Sequence, residues 1–83
     1  MLQSEFTRRI AEKTGLTKKD VIAVIDAYHE VIIEALKSKD SVMLRNFGTF
    51  TTITRKTGIN HIAQIVPKFN PAKVVKDAVK ENN

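Results

Sequence analysis

Between Val21 and Leu36 this 83-residue chain carries an apolar pattern broader than a lone surface helix requires. Val21, Val24, Ile25, Tyr28, Val31, Ile32, Ala35 and Leu36 recur at helical spacing. Ile22 and Ile33 widen the arc beyond the stripe of about 100° that faces a single core. One short preceding helix cannot cover such an arc. Part of it must pack on strands, and the rest on a second copy of the chain. Length argues the same way, because a chain this short buries only about 60% of its unfolded surface and commonly needs a disulfide, a metal or a partner subunit. There is no cysteine, and His29 and His61 lie far apart with no ligand-like spacing. The partner subunit remains.

The flanking segments read as helix, helix, three strands, helix. Ser4 is placed to cap a first helix over roughly 4–14, with Phe6 and Ile10 as its buried stripe and Gly15 as a left-handed stop. Thr17 with Asp20 three residues later starts the second helix, which should run to about 36–38. From Asp40 the period changes to two: Val42 and Leu44 alternate with Met43 and Arg45, as in a strand. Asn46-Phe47-Gly48 marks a turn, and Phe50 to Thr54 is rich in β-branched residues. Arg55-Lys56-Thr57-Gly58 reads as a hairpin turn, Ile59 to Val66 as the return strand, and Pro67 as its end. Asn70 and Pro71 suit the N-cap and first position of a helix over 71–80 that buries Val75, Ala78 and Val79. The expected class is α+β with an antiparallel sheet.

Charge divides the chain. Residues 1–44 hold seven basic and seven acidic side chains, so the whole net charge of +5 resides in residues 45–83. There Arg45, Arg55, Lys56, Lys68, Lys73, Lys76 and Lys80 face only Asp77 and Glu81. Lys73, Lys76 and Lys80 share one face of the last helix by their spacing. A segregated excess of this kind is what a polyanion-binding surface needs. Phe47, Phe50 and Phe69 read as core residues rather than base-stacking ones. No pairing of nucleophile and base, phosphate-cradling glycine loop or metal motif is present in the sequence, so neither an enzyme nor a cofactor or small-molecule substrate is expected. Nothing reads as a signal peptide or membrane span, and no basic helix is expected to carry exposed apolar groups, so a membrane partner is not expected either.

Several segments together resemble the HU/IHF family of bacterial histone-like proteins. They are Ile10-Ala11-Glu12-Lys13, Leu16-Thr17-Lys18, Asn46-Phe47-Gly48-Thr49-Phe50, Val66-Pro67-Lys68-Phe69, and the run from Pro71 to Val79. The resemblance implies an intertwined homodimer with a helical base and a β-saddle that holds double-stranded DNA. The chain is then one domain, with residues 1–39 as the helical dimerisation part and 40–83 as the saddle, arm and C-terminal helix. It implies that Gly48 lets the backbone approach a phosphate, that Lys73 and Lys76 meet phosphates on the flanks, and that Arg45 and Arg55 lie on or beside the saddle. Lys56, Lys68 and Lys80 complete the expected DNA-binding set.

One departure matters. Between Phe50 and Pro67 there are too few residues for the family's long arm, and the Arg-Asn-Pro tip is replaced at its nearest match by Ile59-Asn60-His61. The intercalating proline therefore does not carry over, and reduced bending is expected. The resulting expectation is sequence-tolerant DNA binding in the nucleoid of a cytoplasm, of bacterial or phage origin. The alternatives are a protein-interaction module on the same fold and a subunit that acts in a heterodimer.

Overall fold

The computed structural model describes residues 1–57 and 62–81. The element order is α1 (Gln3–Thr14), α2 (Lys18–Lys37), β1 (Val42–Leu44), β2 (Gly48–Thr57), β3 (Ile62–Pro71) and α3 (Lys73–Lys80). The chain forms two compact units, Met1–Val31 and Ile32–Asn83.

In the first unit, Gly15 ends α1 as its sequence position predicts, at φ 76° with its N–H donating to the Ala11 carbonyl at 2.9 Å. Thr17 caps α2 as expected, its Oγ1 accepting from the Asp20 N–H at 3.2 Å. Ser4 does not cap α1. The helix already begins at Gln3, with Leu2 in the cap position and no side-chain cap bond, so Ser4 sits inside the first turn. Thr7 and Val21 are the buried side chains of this unit, Val21 at 2% exposure. Phe6, expected in the buried stripe, is instead exposed and lines an open apolar cleft with Leu2 and Ile25.

The end of α2 has the two crossed bonds of a Schellman motif. The Asp40 N–H donates to the Ala35 carbonyl at 2.9 Å, and the Lys39 N–H to the Leu36 carbonyl at 3.0 Å. Lys39 takes the left-handed position at φ 58°, which glycine fills more cheaply.

The sheet order is β1-β2-β3, all antiparallel. Strand β1 alternates as its period predicts: Val42 and Leu44 are half-buried, and Met43 is 83% exposed. It stops at Leu44, so Arg45 lies in the turn rather than the strand. That turn closes with the Phe47 N–H donating to the Leu44 carbonyl at 3.0 Å, and Asn46 supplies its positive φ of 59°. Gly48 is therefore the first residue of β2 rather than part of the turn.

The hairpin is longer than the turn chemistry suggested. Strands β2 and β3 pair continuously from Gly48↔Pro71 to Thr57↔Ile62. Arg55 and Lys56 thus remain in the ladder, opposite Gln64 and Ala63. Gly58, Ile59, Asn60 and His61 fall outside the described residues. Pro67 does not end β3, which runs through it opposite Thr52. Because β3 has a partner on one side only, a residue without an N–H is tolerated where the missing donor faces away from β2. Pro71 closes the strand instead of opening a helix. Strand pairing and the bond from the Ala72 N–H to the Phe47 carbonyl, 2.8 Å, hold the chain extended until Lys73.

Even-numbered residues of β2 share one sheet face with their odd-numbered partners on β3. Phe50 and Phe69 meet there with centroids 4.8 Å apart, and Phe47 adds a second contact to Phe69 at 5.3 Å. A Cβ on Gly48 would meet the Phe69 ring and the Asn70 carbonyl at 2.6 Å. Further along the same face, Thr52, Ile65 and Pro67 line an open cleft with Ile33 and Leu36 of α2. This face is covered toward β1, where Gly48 is buried and Phe50 and Phe69 half-buried, and opens toward the tip, where Thr54, Lys56 and Ile65 are exposed.

Two stability measurements check these points. Gly48→Ala should lose about 1–3 kcal/mol, because backbone as well as the ring must move. A urea midpoint equal to wild type, at matched protein concentration, contradicts the packing described. Lys39→Gly should gain roughly 0.5–1 kcal/mol by relieving the left-handed lysine, and a loss of stability would show that the φ of 58° carries little strain.

Candidate nucleic-acid interface

The opposite sheet face carries the odd-numbered residues of β2 and the even-numbered residues of β3. Arg55 and Lys68 lie on it, with Thr49, Thr51, Gln64 and Asn70. Ser41, just before β1, joins them through a 2.8 Å hydroxyl bond to Thr51. The polar members other than Arg55 and Lys68 were not singled out by sequence reasoning. Their signal was the two-residue alternation counted outward from Phe50 and Phe69, which becomes readable once the hairpin register is known.

The expected set divides accordingly. Arg55 and Lys68 share the outward face, whereas Lys56 points to the opposite one with Thr52 and Thr54. Arg45 sits in the exposed turn before β2, and that turn is tied to the start of α3 by the bond between Phe47 and Ala72. Arg45 and Lys73 therefore stand at the same end of the sheet, with Arg55 toward the other. At about 3.3 Å per residue, the seven steps from Gly48 to Arg55 cover roughly 23 Å. Gly48 is buried, and Phe69 occupies the space beside it, so packing within the fold already accounts for a glycine there.

On α3, Lys73, Lys76 and Lys80 fall within one arc of the helix, and all are exposed. The opposite arc is less buried than expected. Val75 is half-buried, while Ala78 and Val79 are exposed, as is Val74. Contrary to the sequence expectation, this basic helix does present exposed apolar groups. It spans only two turns, about 12 Å.

Electrostatics separates the two halves of the chain more sharply than the charge count. In α1, Arg8 pairs with Glu12 at 2.8 Å and with Glu5 at 3.8 Å, and Arg9 pairs with Glu5 at 3.0 Å. Among the described residues, no ion pair involves Arg45, Arg55, Lys56, Lys68, Lys73, Lys76 or Lys80. Likewise, no group of three or more metal-ligating side chains and no helix long and apolar enough to cross a membrane occurs among them. Such a surface can bind anionic groups.

The family described as "Bacterial DNA-binding protein" matches residues 1–80. The chain belongs to this family. The relatives it resembles include DNA-binding protein HRL53 of Rhizobium leguminosarum, 39% identical over 89 residues that cover 95% of this chain and 98% of the relative. DNA-binding protein HU of Lactococcus lactis is 40% identical over 88 residues, covering 94% and 97% of the two chains. Among solved structures, the Anabaena HU–DNA cocrystal superposes with a TM-score of 0.86 at 37% identity, covering 95% of this chain and 97% of that one. Three helices with a three-stranded antiparallel sheet are thus the HU fold.

Proposed function

We propose that this member of the family binds double-stranded DNA as a homodimer, largely without regard to sequence, in a nucleoid-architectural role within the cytoplasm. The observation that carries the proposal is the set of cations on the outward sheet face and on α3 that have no ion-pair partner among the described residues, within a chain of this family. Arg55 and Lys68 would contact phosphates across the sheet, Lys73, Lys76 and Lys80 would form a row on α3, and Arg45 would contribute from the turn between them. Side chains of this kind position a duplex without reading its bases. Discrimination would then come from DNA shape and flexibility. Counterion release would supply most of the affinity, with Kd on the order of 10⁻⁴–10⁻⁶ M at physiological salt.

The dimer is supported by what the protomer leaves uncovered. Val21 and Ile32 are the buried apolar side chains of the described residues, whereas Val24 is 61% exposed, Val31 60%, and Tyr28 between them is exposed as well. These three lie at i, i+4 and i+7 along α2 and form one stripe. Shorter arms are supported by the alignments. The Rhizobium relative aligns over 89 residues, more than the 83 of this chain. With less ribbon to wrap the duplex, bending would be weaker than in long-armed relatives.

Two measurements test the proposal. Lys73→Glu with Lys76→Glu should abolish most duplex binding in a gel-shift series and flatten the dependence of log K on log salt. Lys68→Gln should lower that slope by about 2 per dimer, since each neutralised phosphate contributes roughly 0.9 and each protomer supplies one. An unchanged slope in both variants removes the phosphate-contact reading. Sedimentation of the wild-type protein at micromolar concentration should give a dimer, and a stable folded monomer would refute self-association.

A further inference from the structure

Beyond Thr51 the sheet narrows to the two-stranded ribbon of β2 and β3, because β1 pairs only with Gly48, Thr49 and Phe50. On the outward face of that ribbon Ile53 stands directly opposite Val66. Both are half-buried, and neither belongs to the cleft that the opposite face forms with α2. One pairing step toward the saddle lie Thr51 and Lys68, and one step toward the tip lie Arg55 and Gln64. An apolar cross-strand pair thus sits at the centre of a polar frame with cations at diagonal corners. Successive same-face residues are roughly 7 Å apart along a strand, so the two cations are separated by about 14 Å along the ribbon.

Strand preference alone is met as well by threonine, so holding phosphates does not require two fully apolar side chains at this half-buried position between two cations. We infer that Ile53 and Val66 form a dry contact with the deoxyribose faces of the duplex, between the phosphates taken by Lys68 and Arg55. This rests on the duplex-binding reading above and adds to it a component of affinity that does not depend on salt. The charge of the frame selects the occupant. Lys68 and Arg55 have no ion-pair partner among the described residues and complement a polyanion, and the sugar edges are the apolar surface that lies between neighbouring phosphates. Such a contact removes apolar area from water without releasing counterions, so it survives at salt concentrations that screen the lysines.

The experiment compares wild type, Ile53→Thr with Val66→Thr, and Ile53→Lys, each measured for duplex affinity over a salt series and for mass by sedimentation. Threonine keeps the β-branched shape and strand preference while replacing one half-buried apolar branch at each position, the ethyl of Ile53 and a methyl of Val66, with a hydroxyl. The double threonine variant should bind about tenfold more weakly at every salt concentration with an unchanged slope. Ile53→Lys places a new cation at the centre of the frame and should steepen the slope by about 2 per dimer. It also keeps the test alive should the double variant fail to fold. Wild-type-like affinity of the threonine variant, or a slope unmoved by Ile53→Lys, overturns the contact while leaving duplex binding standing. A loss of dimer mass in the threonine variant shows the pair to be a protein–protein surface and overturns it too. Absence of any salt-dependent duplex binding by wild type removes the underlying reading itself.

Discussion

The ring of Phe69 occupies the space that a side chain on Gly48 would need, and the basic surface depends on that exchange. Phe47 and Phe50 both pack against the ring, with centroids 5.3 Å and 4.8 Å away. Through it, the turn carrying Arg45, the strand carrying Lys68 and the start of α3 with Lys73 are brought to one end of the sheet. The Ala72–Phe47 bond and the Gly48↔Pro71 pairing keep this end closed. Aromatic packing of this kind contributes about 0.5–1.5 kcal/mol per pair beyond area burial. That is a large share of the margin available to a chain of 83 residues.

Charge is handled differently in the two halves. Helix α1 neutralises its arginines with glutamates one turn away, pairs that add little stability because both partners are exposed. Their effect is to leave that half without a net field. The second half leaves its cations unpaired among the described residues, with Arg55 and Lys68 on one sheet face, three lysines on one helix arc, Arg45 in the turn and Lys56 alone on the other sheet face. Mutual repulsion there costs some stability, a cost that a bound polyanion offsets.

Much of this was legible in the sequence, for identifiable reasons. Gly15 and Thr17 acted locally, and a local signal survives into the fold unchanged. The alternation at Val42, Met43 and Leu44 was equally clear. What failed were signals whose meaning depends on tertiary context. Pro67 reads as a strand end unless its strand is known to lie at an edge. Asn70-Pro71 reads as a helix start unless Gly48 is known to pair with Pro71. Arg55 and Lys56 read as a turn because they are polar and near a glycine, yet the ladder continues past them. The division of Arg55 from Lys56 onto opposite faces follows from register alone, and no composition or spacing argument reveals it. Burial on α3 was over-read because amphipathic spacing says which arc is apolar, not whether anything covers it.

Pro67 also bears on how such a ribbon remains unaggregated. A ten-residue outer strand offers a row of free donors and acceptors to any extended peptide that drifts alongside. Midway along it the proline deletes a donor, and Lys68 follows at once with a charge. No uninterrupted stretch beyond the five residues from Ile62 to Val66 is left for a foreign strand to zip onto. The same residue that ends most strands here lets a long one stand at the edge of its sheet.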